Sequence, residues 1–171
     1  HLAGGALVAE ATLELAPGVL GVAVGANQGA EGVCGRGDRL VVAVESIGTE
    51  HGRRFAPLIV LDLVSKTHAS HRLWLTSAEG KVSGLDCAFE ADGSIRVWAI
   101  ERHFATGRLL GFQIDGGGHR DLEPTLERDL AAIAAGRNFE GLARLGDGRW
   151  ALINDNFYRE VSGPSELVLV R

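Results

Sequence analysis

The stretch Arg137-Asn138-Phe139-Glu140-Gly141-Leu142-Ala143-Arg144-Leu145-Gly146-Asp147-Gly148-Arg149-Trp150-Ala151-Leu152-Ile153-Asn154-Asp155-Asn156-Phe157 decides the fold. A Glu-Gly-apolar opening leads to Asp147-Gly148, an apolar run follows, and the stretch closes on Asp155 between two amides. Asp beside Gly supplies hairpin-turn chemistry, so the stretch reads as two short antiparallel strands. Antiparallel pairing returns the end of the second strand to the start of the first. Glu140 and Asp155 are therefore expected near each other, at an oxygen-rich end of the hairpin.

The same pattern occurs twice more. Glu31-Gly32-Val33 is followed by a turn at Gly37-Asp38 and the run Leu40 to Val44, closing on Glu45-Ser46. Ser83-Gly84-Leu85 is followed by Asp92-Gly93 and the run Ile95 to Ile100, closing on Glu101-Arg102. Each copy continues through a polar loop into a third apolar strand, at 57–63, 108–114 and 165–170. The anchors Gly32, Gly84 and Gly141 lie 52 and 57 residues apart, close to the roughly 40–50 residue period of propeller blades. The expectation is an all-β chain: a partial β-propeller of about three four-stranded antiparallel blades, forming one domain over residues 1–171. The repeats run about 31–77, 83–127 and 138–171, behind a leading outer strand at 7–15. Residues 15–26, with Pro17 and three glycines, read as loop and strand. Fourth strands are expected at 71–76 and near 122–126. The Ala-rich run near 128–135 has apolar residues at helical spacing and predicts one short helix ending at Gly136.

Composition narrows the function. With 46% hydrophobic residues the 171-residue chain can bury a substantial core. A net charge of -5 argues against nucleic acid as the main partner, since phosphate backbones call for clustered Lys and Arg. No apolar run approaches the roughly 20 residues needed to cross a bilayer as a helix. Cys34 and Cys87 sit near equivalent places in two repeats without a CxxC pair; buried free thiols are the expectation and a disulfide the alternative. Three units in an arc leave sheet faces uncovered, so missing N-terminal blades or a second chain are expected to close the propeller.

The ordered set Asn27-Gln28-Gly29-Ala30-Glu31-Gly32-Val33, Glu45-Ser46, Glu101-Arg102-His103-Phe104, Asn138-Phe139-Glu140-Gly141-Leu142-Ala143 and Asn154-Asp155-Asn156-Phe157 resembles the successive motifs of the phytase-like β-propeller family, also called the "esterase-like activity of phytase" domain. It would match the C-terminal part of that domain. The resemblance implies a bacterial, periplasmic or secreted propeller named for hydrolysis of phosphate or carboxylic esters, with calcium as its cofactor and a small-molecule ester or phosphate as substrate. Ser83 departs from the pattern, standing where the other repeats have Glu.

The residues carry a metal argument of their own. Calcium takes six to eight oxygen ligands, and Glu31, Glu45, Glu101, Glu140, Asp155 and Asn156 would converge at one channel end if every hairpin points the same way. Clustered carboxylates resist ionisation unless a cation or arginines neutralise them. In metal-assisted hydrolysis Glu45, Glu101 or Asp155 would hold the ion or accept a proton from water, and Arg102 would neutralise developing charge. Glu31 and Glu140 could instead accept hydrogen bonds from backbone amides or pair with arginines to lock neighbouring blades, and Glu101-Arg102 reads equally as a structural ion pair. A non-catalytic binding propeller of the cell envelope is the alternative function. Asp38, Asp92 and Asp147 are turn residues, Trp74, Trp98 and Trp150 packing between blades, and Phe104 and Phe157 packing under loops. His68 and His71 lack a third ligand. No Gly-x-Ser-x-Gly elbow is present.

Overall fold

A computed structural model describes residues 2–3, 6–7, 14, 16–26, 28–103, 106–116, 118, 120–155 and 164–171. Its elements in chain order are β1 (Leu2–Ala3), β2 (Ala6–Leu7), α1 (Pro17–Leu20), β3 (Ala30–Arg36), β4 (Arg39–Val44), β5 (Gly48–Glu50), β6 (Arg53–Asp62), β7 (Thr67–Trp74) and β8 (Lys81–Phe89). These are followed by β9 (Ile95–His103), β10 (Thr106–Ile114), β11 (Asp121–Leu122), β12 (Thr125–Asp129), α2 (Ala131–Ala134), β13 (Phe139–Arg144), β14 (Trp150–Asn154) and β15 (Glu166–Val170). The chain is all-β in class. Sheet 1 runs β3-β4-β6-β7 with β11 on its outer edge and β5 paired to β6; sheet 2 runs β8-β9-β10-β12; sheet 3 runs β13-β14-β15. All neighbours are antiparallel except β11 on β7.

The alternation of side chains along the second strand of each sheet explains how the sheets stack. In β4, Val41 and Ala43 face a core shared with sheet 2, while Val42 and Val44 face the α1 segment with Leu20. In β9, Val97 and Ala99 return to the first core, and Trp98 and Ile100 enter a second one with sheet 3. In β14, Trp150 and Leu152 complete that second core, whereas Ile153 on the other face is 54% exposed. The order is therefore α1, sheet 1, sheet 2, sheet 3, then an open face.

One feature recurs in all three sheets. A β-bulge interrupts the first hairpin between Ala30 and Gly32, Val82 and Gly84, and Phe139 and Gly141. The extra residue is Glu31, Ser83 or Glu140, the residue before the anchoring glycine. The glycines let the first strands approach one another: a Cβ on Gly32 would stand 3.0 Å from the Leu85 backbone nitrogen, and one on Gly84 would stand 3.0 Å from the Glu140 carbonyl oxygen. Ser83 Oγ adds a buried hydrogen bond to the Phe139 carbonyl at 2.7 Å. The turn aspartates behave as expected of Asp-Gly hairpins, Asp92 accepting from the Ser94 backbone and hydroxyl and Asp147 from the Arg149 backbone.

Several expectations are corrected. Cys34 on β3 and Cys87 on β8 form a disulfide, not free thiols, because the first strands of sheets 1 and 2 lie side by side and bring the Cα atoms to 5.8 Å. The helix covers only 131–134, since Thr125–Asp129 is captured by the β10 ladder. The predicted strand near 122–126 is split: Asp121–Leu122 crosses to the edge of sheet 1 and only β12 belongs to sheet 2. The fourth strand of sheet 1 begins at Thr67 instead of His71. Pro17–Leu20 is a helical turn where loop and strand were expected, Pro being well suited to a first helical position. Of the predicted leading strand at 7–15, Leu7 pairs with Leu2 and most of the rest lies outside the described residues. Trp98 and Trp150 meet edge-on at 5.2 Å between sheets 2 and 3. Trp74 packs on Phe55 of its own sheet.

Candidate functional site

The strand register sets which residues are equivalent at the bulged end. Counting outward from the bulge, Gly29 faces Glu45, Lys81 faces Arg102, and Asn138 faces Asp155. Glu45, Arg102 and Asp155 are therefore counterparts, and Glu101 is one residue out of phase with Glu45. On a strand a one-residue offset reverses the face. Glu101 accordingly faces the segment leaving sheet 1, whereas Arg102 faces sheet 3, and Glu101 is fully buried. Its carboxylate accepts from the backbone N–H groups of Thr76 at 3.2 Å and Ser77 at 2.9 Å, and from both hydroxyls. That set fastens the segment leaving sheet 1 to the second strand of sheet 2.

The remaining charged residues assemble across sheets. Glu45, with its side chain 10% exposed, is ion-paired with Lys81 of the next sheet. Arg102 is ion-paired in the same sense with Glu140 of the sheet after it, and Asn138 Nδ2 donates to that carboxylate at 2.8 Å. Arginine pairing, the alternative for Glu140, is the arrangement found. Glu31 completes the group. Burial, then the nearby Glu45 and Glu140 carboxylates, raise its pKa above the ordinary 4.5, while Lys81 and Arg102 pull in the opposite direction. The Arg102 Nε–H is buried and has no acceptor among the described residues.

Of the predicted site residues, Glu31, Glu45, Arg102 and Glu140 come together and Glu101 does not. Asp155 is exposed at the end of its hairpin, its backbone N–H donating to the Asn138 carbonyl at 2.9 Å. Asn154, buried beside it, accepts from the Asn138 backbone at 2.6 Å and braces the hairpin. Asn156, Phe104 and Phe157 lie outside the described residues. No family model matches this chain, and no curated protein does.

Lys81 was not anticipated as a site residue. Its signal was its place two residues before Ser83, where the other repeats carry Gly29 and Asn138. Calcium chemistry is represented by the carboxylates and the Asn138 amide. However, Glu45 and Glu140 are already closed by Lys81 and Arg102, and among the described residues no group of three His, Cys, Asp or Glu is placed to hold a metal. As arranged, these residues do not fit the ion. His68 is exposed and His71 buried, on opposite faces of β7, so the two cannot share a ligand. Two cavities of about 410 and 280 Å³ lie along sheet 1 and are lined by none of the clustered residues.

Proposed function

We propose that the chain is part of a phytase-like β-propeller of the bacterial cell envelope that takes a phosphate or carboxylic ester at the bulged end of its first strands and hydrolyses it. The observation that carries this reading is the convergence there of Glu31, Glu45 and Glu140 with Lys81 and Arg102. Lys81 and Arg102 face the anionic oxygens of a phosphate ester, or the carbonyl oxygen of a carboxylic ester on which negative charge develops, and the unused Arg102 Nε–H offers a further donor. Water adds to phosphorus or to the acyl carbon while the bond to the leaving oxygen breaks. Glu45 takes the proton of the attacking water, and Glu31, whose raised pKa keeps a larger fraction protonated, gives one to the leaving oxygen. The Cys34–Cys87 disulfide supports an oxidising compartment, periplasmic or extracellular.

Calcium-assisted hydrolysis is the rival form of the same reading and requires Lys81 or Arg102 to leave its partner. The open face of sheet 3 supports a partner: further sheets of the same kind, from missing N-terminal blades or from a second chain. The closed ion pairs of Glu45 and Glu140 favour one second function, a non-catalytic propeller that presents this end to a ligand or protein. Assays on p-nitrophenyl phosphate, phytate and short acyl esters, with calcium and with EDTA, separate the three. The expected result is turnover that survives EDTA and falls by about 10²-fold or more in Glu31→Gln. Turnover abolished by EDTA establishes the calcium form, and no turnover on any substrate leaves the binding module.

A further inference from the structure

The three sheets present different charges at equivalent positions of the bulged end. Sheet 1 carries Gly29, Glu31 and Glu45, and sheet 3 carries Asn138, Glu140 and Asp155. Sheet 2, between them, carries Lys81, Ser83 and Arg102. Every one of the three positions differs in the same direction, toward positive charge. Both cations then reach outward to the acids of the flanking sheets, Lys81 to Glu45 and Arg102 to Glu140.

We propose that Lys81 and Arg102 are built-in counter-ions standing in the place of a divalent cation, so that this end of the molecule is closed to calcium by its own side chains. Together the two residues bring the two positive charges that a calcium ion would bring, attached to the chain. For calcium to enter, Glu45 and Glu140 must be released, and an ammonium and a guanidinium must be left beside the metal without their carboxylates. Like charges in a partly buried site disfavour that arrangement. Glu31, shared between the two pairs and matched by neither, is the group whose ionisation remains opposed. The inference concerns metal binding alone: it is independent of metal-free ester hydrolysis and excludes the calcium form.

The test follows thermal unfolding, and terbium luminescence as a calcium surrogate, with calcium raised to about 1 mM, the weak end of the range for extracellular calcium modules. Wild-type protein is expected to show no calcium-dependent rise in melting temperature and no saturable terbium signal. Lys81→Gln and Arg102→Gln, each freeing one carboxylate, are expected to gain both. Saturable calcium binding by the wild type overturns the proposal, and so does a folded Lys81→Gln variant that gains none. Should either variant be unfolded in EDTA, restoration of its fold by calcium supports the proposal and failure to restore it counts against it.

Discussion

Glu101 and Glu31 are both carboxylates at the bulged ends of the sheets, yet the strand phase gives them opposite roles. Glu101 is fully buried, with donors on both oxygens. Glu101→Ala would strand those donors, and urea unfolding is expected to show a loss of roughly 2–4 kcal/mol. Glu31 is the reverse case. Because its pKa is higher folded than unfolded, the folded state binds the proton more tightly; its contribution is full below the unfolded value and is lost as pH rises through the folded one. Glu31→Gln is therefore expected to be more stable than wild type at neutral pH, the advantage shrinking as the pH is brought down toward 4.5, which melting curves across that interval would show. The sequence made these acids visible as candidates but could not assign their phase. Equating Glu45 with Glu101 is natural when reading along the chain, because nothing in Ala99-Ile100-Glu101-Arg102 marks which residue is counterpart to Glu45. Only the bulge register shows that Arg102 occupies that place. Lys81 carries no local mark either, lying outside the Glu-Gly signature.

At the scale of the element, the anchoring glycines and the disulfide join the first strands. Gly84→Val would press a branched side chain against the Glu140 carbonyl, and chemical denaturation is expected to register a loss of about 1–3 kcal/mol. The disulfide closes a sequence separation of 53 residues, which on loop-entropy grounds is worth about 4 kcal/mol. Unfolding with and without a reductant measures it directly. Strands and turns were legible because each hairpin is local: the Asp-Gly signal and the apolar run after it place the start of β9 at Ile95, although the strand continues three residues past Ile100. Pairings between repeats were not. That Cys34 meets Cys87 follows from adjacency of β3 and β8, which no local pattern encodes. Residues 121–122 join sheet 1, and the helical run loses its beginning to β12, because in each case a neighbouring ladder supplies backbone hydrogen bonds that outweigh local preference.

For the molecule as a whole, the stacking series ends on an uncovered surface. The faces of sheets 1 and 2 that look along the series are buried by the next sheet, whereas Ile153, Leu167 and Leu169, cross-strand neighbours on sheet 3, are 54%, 66% and 49% exposed. Such a face promotes association. Light scattering is expected to find the isolated chain self-associating with rising concentration, and the double change Leu167→Lys and Leu169→Lys to reduce that association while leaving the melting temperature within a few degrees. A chain that remains monomeric at high concentration would contradict this.

Besides the Glu101 bonds and the Glu45–Lys81 pair, sheets 1 and 2 share a covalent link near their first strands, Cys34–Cys87, and a crossing strand at the outer rim, β11, whose Asp121 engages Arg72 while the following Glu123 engages Arg53. Two fastenings at opposite ends of one interface forbid the pages from fanning open, as a single spine would allow. Among the described residues sheet 3 meets sheet 2 without a disulfide or a shared strand, through the Ser83–Phe139, Arg144–Asp86 and Arg128–Arg171 hydrogen bonds and the Arg102–Glu140 ion pair, so under mechanical load or mild denaturant it is expected to be the leaf that peels away first, baring Trp98.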